Sequence, residues 1–191
     1  MLSPIRTMFM HFPGRAYGTV LVLLLVSLYA LWQIRRRYRS GTLERWRGMA
    51  GWVLLNYLLL LLFLAVLGRR SMDYDRYNFE VFYSYRDVLT TGDPGVALQI
   101  AANIAVFVPV GALGSLIAKR RNFLKGLLLG VGLSVCIELL QLLMRNGTCE
   151  TDDLISNTLG TLMGCILAVT ISHCVRLAKA MPSSASSARE Q

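Results

Sequence analysis

"CIELLQLLMRNGTCETDDLISNTLG", residues 136–160, places a glutamate, a glutamine, two adjacent aspartates and an asparagine in and between two apolar runs. On insertion scales an ionised side chain at the centre of a membrane helix costs about 2.5–3.5 kcal/mol, and less near the interface. Glu138 in such a run therefore needs a partner, by protonation, by hydrogen bonds or by an ion pair. Its surroundings decide whether these runs are spans of a bundle with a polar interior.

The remainder of the chain answers in favour of spans. Of its 191 residues 54% are hydrophobic and 16% charged, well under the roughly 25% charge of a soluble domain. Five apolar runs, at about 17–34, 49–67, 97–118, 124–144 and 154–175, approach the ~20 helical residues that cross a hydrocarbon core. The predicted class is all-α: a polytopic membrane protein of about five transmembrane helices. Arg35, Arg36, Arg37 and Arg39 follow the first run without a small-residue cleavage site, so it reads as a retained helix rather than a signal peptide.

Charge gives the orientation. The net charge is +9, but the basic residues are not spread evenly. Six lie in the 35–48 loop, four at 119–125 and three in the tail, against seven on the other side of the membrane. The positive-inside rule puts the N-terminus outside and the C-terminus in the cytoplasm of a cell inner membrane. The basic loops suit anionic lipid headgroups, and the distribution argues against nucleic acid. Cys136, Cys165 and Cys174 fall inside spans and are expected in the core, while Cys149 faces outside without an external partner for a disulfide.

Three domains are expected: a two-helix segment at 1–73 with the basic loop, a membrane domain at 74–176, and a disordered cytoplasmic tail at 177–191. In the 68–96 loop, Phe79, Phe82, Tyr85 and Leu89 are spaced as on a helix, which predicts a short interfacial helix. Asn56 in the second run is expected to bond to a neighbouring helix. The third run carries Asn103 and Pro109. Gly126 and Gly130, then Gly160 and Gly164, have the spacing that lets helices approach closely, and predict tight docking of the fourth and fifth spans. "NGT" at 146–148 is a formal glycosylation sequon.

At 100° per residue Ser134, Glu138, Gln141 and Arg145 share an arc of about 60°. Asp153, Asn157, Gly160 and Gly164 share a second stripe, and Gln99 aligns with Asn103. Glu138 and Asn103 each lie about 9 Å below the outer boundary, by helical rise. Two readings stay open: a polar clamp holding three helices, or a ligand-binding or catalytic site. The pocket candidates are Asn103, Glu138, Gln141, Asp153, Asn157 and Arg145. Capping alone explains Asp152 in the first turn of its helix. A magnesium ion at Asp152, Asp153 and Glu138 is chemically conceivable, but the spacing predicts neither metal nor cofactor.

The blocks "YNFEVFYSYRD" (77–87), "NIAVFVPVG" (103–111), "IELLQ" (137–141) and "TDDLISNTLGTLMG" (151–164) occur in that order. Together they resemble the VanZ-like family of bacterial membrane proteins over roughly residues 74–170, with Val81 standing where the first block often has proline. Carried over, the motif positions are Asn78, Asn103, Pro109, Gly111, Glu138, Gln141, Asp152, Asp153, Asn157 and Gly160. The resemblance implies a cell-envelope role, with a link to resistance against the glycopeptide teicoplanin, and brings no catalytic assignment. The expected partners are the lipid bilayer and a lipid-linked envelope precursor or lipoglycopeptide held in an outward-facing polar pocket. The alternatives are a membrane enzyme acting on such a headgroup and a structural partner in a membrane complex. His173 lies near the cytoplasmic end and His11 before the first span, so the enzyme reading, with Glu138 or Asp153 as general base, lacks a well-placed nucleophile.

Overall fold

The computed structural model describes residues 14–41, 44–67, 76–118, 122–145 and 148–180. Long apolar stretches with little charge fold into helices that satisfy their own backbones, as lipid demands. They are α1 (Gly14–Arg39), α2 (Arg45–Leu62) with a π-helical last turn (Phe63–Leu67), α4 (Pro94–Ile117), α5 (Phe123–Met144) and α6 (Thr151–Ala180). A short helix, α3 (Tyr83–Thr91), precedes α4. Two three-residue strands, β1 (Arg76–Asn78) and β2 (Thr148–Glu150), pair in parallel with Tyr77 opposite Cys149. Five of the helices are long and apolar enough to cross a membrane. The fold is nearly all α, and the chain is a multi-pass membrane protein.

Local chemistry sets the helix boundaries. The Asp93 carboxylate accepts the Gly95 amide at 2.7 Å, with Pro94 opening α4, a position where a missing N–H costs nothing. The Asn122 side chain accepts from Lys125 N at the start of α5. Gly92 closes α3 in the left-handed region, φ 68°, where glycine carries no Cβ penalty.

The core is a three-helix unit. α4 and α6 share the most extensive interface, α5 packs on both, α2 lies against α4, and α1 packs chiefly on α2. Glycine makes the close approach possible. A methyl on Gly111 would overlap the Thr161 carbonyl, and one on Gly160 or Gly164 the carbonyls of Ile104 or Val108. The fourth and fifth spans dock closely, as expected, while Gly160 and Gly164 themselves seat α6 on α4. Gly130 alone receives Thr161 of α6, and Gly126 meets Ser115 and Gly111 of α4. Tyr57 of α2 donates its hydroxyl to the Val106 carbonyl at 2.8 Å. This is the turn of α4 that Pro109 weakens by lacking an N–H.

Other expectations also need correcting. Asn56 donates to Trp52 O in its own helix at 2.8 Å, not to a neighbour. The link between α1 and α2 comes instead from Trp52, whose indole N–H reaches Ser27 O at 3.2 Å. Of the cysteines expected in the core, Cys165 is buried, but Cys136 and Cys174 are exposed, whereas Cys149 is buried. The predicted short helix exists, but Phe79 and Phe82 precede it. α6 continues as far as Ala180. Residues 181–191 and Asn146 of the sequon lie outside the described residues.

Candidate functional site

Polar side chains gather at the end of the bundle where α4 and α6 begin and α5 finishes. Asp152 sits in the first turn of α6, 3% exposed. Its carboxylate accepts Phe82 N on Oδ1 at 2.6 Å and Ser84 N on Oδ2 at 2.7 Å. Those amides belong to the start of α3, where helical N–H groups have no intrahelical partner. The capping expected of Asp152 is thus delivered to a different helix, some seventy residues away in sequence. Hydrogen bonds to a charged group contribute about 1.5–3 kcal/mol each, enough to hold a nine-residue helix that could not persist alone.

One turn further on, Ser156 reinforces this latch. Its hydroxyl donates to Asp152 O at 2.9 Å, which leaves Tyr85 as the donor in the 2.7 Å bond between Tyr85 Oη and Ser156 Oγ. Phe82 lies edge-on to the Tyr85 ring at 5.8 Å and takes φ 62°, an uncommon value for a bulky residue. The two amide bonds to the Asp152 carboxylate secure that turn. Asn78 accepts the Glu80 amide at 3.1 Å, and Arg86 pairs with Glu80 at 2.5 Å on the exposed side. The neighbouring carboxylate raises the Arg86 pKa further above its usual range, chiefly through this hydrogen bond.

Asp153 faces α4. Its Oδ1 accepts Asn103 Nδ2 at 2.7 Å and, at the limit of a hydrogen bond, Gln99 Nε2 at 3.5 Å. Gln99 is exposed, and Asn103 and Asp153 are half-buried, so this carboxylate with two carboxamides lies nearer the protein surface than the buried Asn157. Deeper in, Asn157 Nδ2 donates to Ser134 Oγ of α5 at 2.9 Å. Its Oδ1 is buried without a hydrogen-bond partner. Glu138 is 7% exposed, and its Oε2 accepts Glu150 N of β2 at 3.1 Å. Gln141 Nε2 donates to Ala65 O in the π-helical turn of α2 at 3.0 Å, filling a carbonyl left free at a helix end. Arg145 closes α5 in the left-handed region, φ 52°, and is exposed.

The six pocket candidates therefore share one end of the bundle. The bonds above reach different neighbours: Asn103 joins Asp153, Asn157 joins Ser134, Glu138 holds β2 and Gln141 holds α2. Among the structural motif positions, Asn78 shapes the turn before α3, Pro109 lies beside the Tyr57 bond, and Gly111, Gly160 and Gly164 seat α4 on α6. Cys149 adds an electrostatic marker. Burial first, then the negative charges of Glu138, Asp153 and Glu150, push its thiol pKa up. No group of three or more His, Cys, Asp or Glu residues arranged to hold a metal ion occurs among the described residues.

Sequence reasoning missed Ser84, Tyr85 and Ser156. The signal was available in part. Asp152 and Ser156 are four residues apart, so they share a helix face, and Ser84 and Tyr85 sit inside a quoted motif block. The structure gives those blocks a physical reason: residues 77–87 and 151–164 are the two halves of one latch.

Residues 20–172 match the family model of VanZ/LLP1. The chain belongs to the VanZ/LLP1 family. The match begins within α1, well before the motif blocks at 77–164. No curated protein and no solved structure matched the chain.

Proposed function

We propose that this VanZ/LLP1-family protein binds the polar headgroup of an amphipathic or lipid-linked envelope molecule at the mouth formed by Gln99, Asn103 and Asp153. The carrying observation is the contrast between adjacent aspartates. Asp152 is buried and spent on two amides, whereas Asp153 sits half-buried beside two carboxamides. A carboxylate and two amides offer acceptors and donors suited to the amines, hydroxyls and amides of a glycopeptide or of a lipid-linked saccharide. Asn157, with a buried acceptor lacking a partner, and Glu138, Gln141 and Arg145 extend the polar surface inward and along α5. The lipid tail would lie along the exposed apolar faces of the bundle.

In this reading the mouth faces outward, the C-terminus is cytoplasmic, and the membrane is the bacterial inner membrane. The charge bias of the loops supports that orientation. Cys149 is a poor candidate for a nucleophile. Its raised pKa keeps it a thiol beside three carboxylates, the reverse of what a thiolate nucleophile needs. Membership of the family makes a link to glycopeptide resistance the first biological role to test. Expression in a teicoplanin-susceptible bacterium should raise the inhibitory concentration, and Asp153→Asn should remove the rise at equal membrane abundance. No rise with the wild-type chain would refute the link to resistance.

A further inference from the structure

At the opposite end of the bundle, α1 and α2 diverge around a cavity of about 550 Å³. That volume falls within the roughly 300–1,000 Å³ of small-molecule sites. Part of the lining is basic, with Arg35 and Arg39 from α1 and Arg45 from α2. Part is apolar, with Leu31, Ile34 and Met49. Glu44 is the one acidic group in the lining, which leaves it with net positive charge. The arginines are organised by aromatic rings: Arg45 lies over Tyr38 at 6.0 Å and Arg36 over Trp32 at 5.7 Å. A second hollow, about 420 Å³, shares Arg35 and Arg39 and is closed by Trp32 and Arg36. Arg47 is already engaged, donating to the Ile117 carbonyl at the end of α4 at 2.7 Å.

The geometry points to a binding site for one anionic phospholipid, of the phosphatidylglycerol class, in the α1–α2 elbow. Arg35, Arg39 and Arg45 hold the phosphate, and the first methylenes of the acyl chains lie on Leu31, Ile34 and Met49. Charge and polarity both select this occupant. A soluble anion would leave the apolar part uncovered, and a neutral lipid would leave three guanidinium groups facing a zwitterion. The cavity lies where apolar helix gives way to arginine, which is the level of a headgroup in a bilayer. Guanidinium groups favour phosphate through paired N–H donors. The site is separate from the Asp153 mouth, and the two stand or fall independently.

The test uses the full chain purified in detergent, titrated with dioleoylphosphatidylglycerol or dioleoylphosphatidylcholine and read by native mass spectrometry. The wild-type chain should retain one phosphatidylglycerol in preference to phosphatidylcholine. At roughly fivefold per basic residue near a lipid surface, Arg35→Gln with Arg39→Gln should lower that preference by about 10- to 30-fold. Arg35→Lys with Arg39→Lys should lower it less than the glutamine pair, since the charge stays while the paired donors go, and Lys125→Gln, in the first turn of α5, should leave it unchanged. Equal affinity of the wild-type chain for the two lipids overturns the proposal whatever the variants do. An equal loss in Lys125→Gln and in the arginine variants overturns it too, since that would report diffuse charge.

Discussion

The Ser84 amide donates to the buried Asp152 carboxylate at 2.7 Å, so the first turn of α6 carries the N-terminal cap of α3. With Phe82 N on the other oxygen, one side chain satisfies two helix-end donors and docks α3 against α4 and α6. Position therefore depends on charge: an acceptor-only group faces two N–H groups. An isosteric amide would turn one of its own donors toward a donor.

Asp152→Ala should loosen α3 and destabilise the protein by about 2 kcal/mol or more, the scale of a lost cap combined with unpaired buried amides. Asp152→Asn should recover only part of this. Hydrogen–deuterium exchange in nanodiscs provides the measurement. Faster exchange is expected at residues 82–86, while α4 and α6 stay protected.

Gly160→Ala should separate α4 from α6, because its methyl would overlap the Ile104 carbonyl. A cost of roughly 1–3 kcal/mol is typical of overpacking, and a backbone obstacle puts this site at the upper end. Gly132→Ala is the control. A methyl there meets nothing within 4 Å, so it should be neutral or stabilise by up to about 1 kcal/mol through helix propensity. Thermal melting of the detergent-solubilised variants separates the two.

The spans could be read from composition, since hydropathy and length alone define them. The relations between them could not. The β1–β2 pair joins residues about seventy apart through three-residue strands with no alternation to recognise. Asp152 carried a first-turn signature for its own helix, which says nothing of a second helix docked above it. Asn56 shows the same limit in reverse, because an asparagine in a span can bond within its own helix as readily as across to another. Asn103 and Asp153 both stood among the candidates, but their pairing depends on how Gly160 and Gly164 seat α6 against α4. The glycine spacing announced close approach without naming the partner.

Cys149 should resist alkylation at neutral pH, both because it is buried and because its pKa is raised. The sign follows from proton binding. In the unfolded chain the thiol titrates near its ordinary value of 9.0, while the folded state holds its proton to higher pH. The contribution to stability is complete below that value and is lost as pH rises through the folded pKa. Maleimide labelling across pH 7–10 should lag that of a cysteine placed on the exposed end of α3 by Thr91→Cys, and Glu138→Gln should narrow the lag by removing one of the nearby charges.

Binding at the mouth is tested most directly with the full chain in nanodiscs and a fluorescent teicoplanin-type lipoglycopeptide or a lipid-linked peptidoglycan precursor. Wild-type protein should bind one of the two saturably. Asp153→Asn should weaken that affinity by about 10- to 100-fold, the loss of a charged hydrogen bond. Arg86→Gln, on the exposed side of α3, should leave it unchanged. Absence of saturable binding to both probes, or an Asp153→Asn variant that binds as tightly as wild type, contradicts the mouth as a headgroup site.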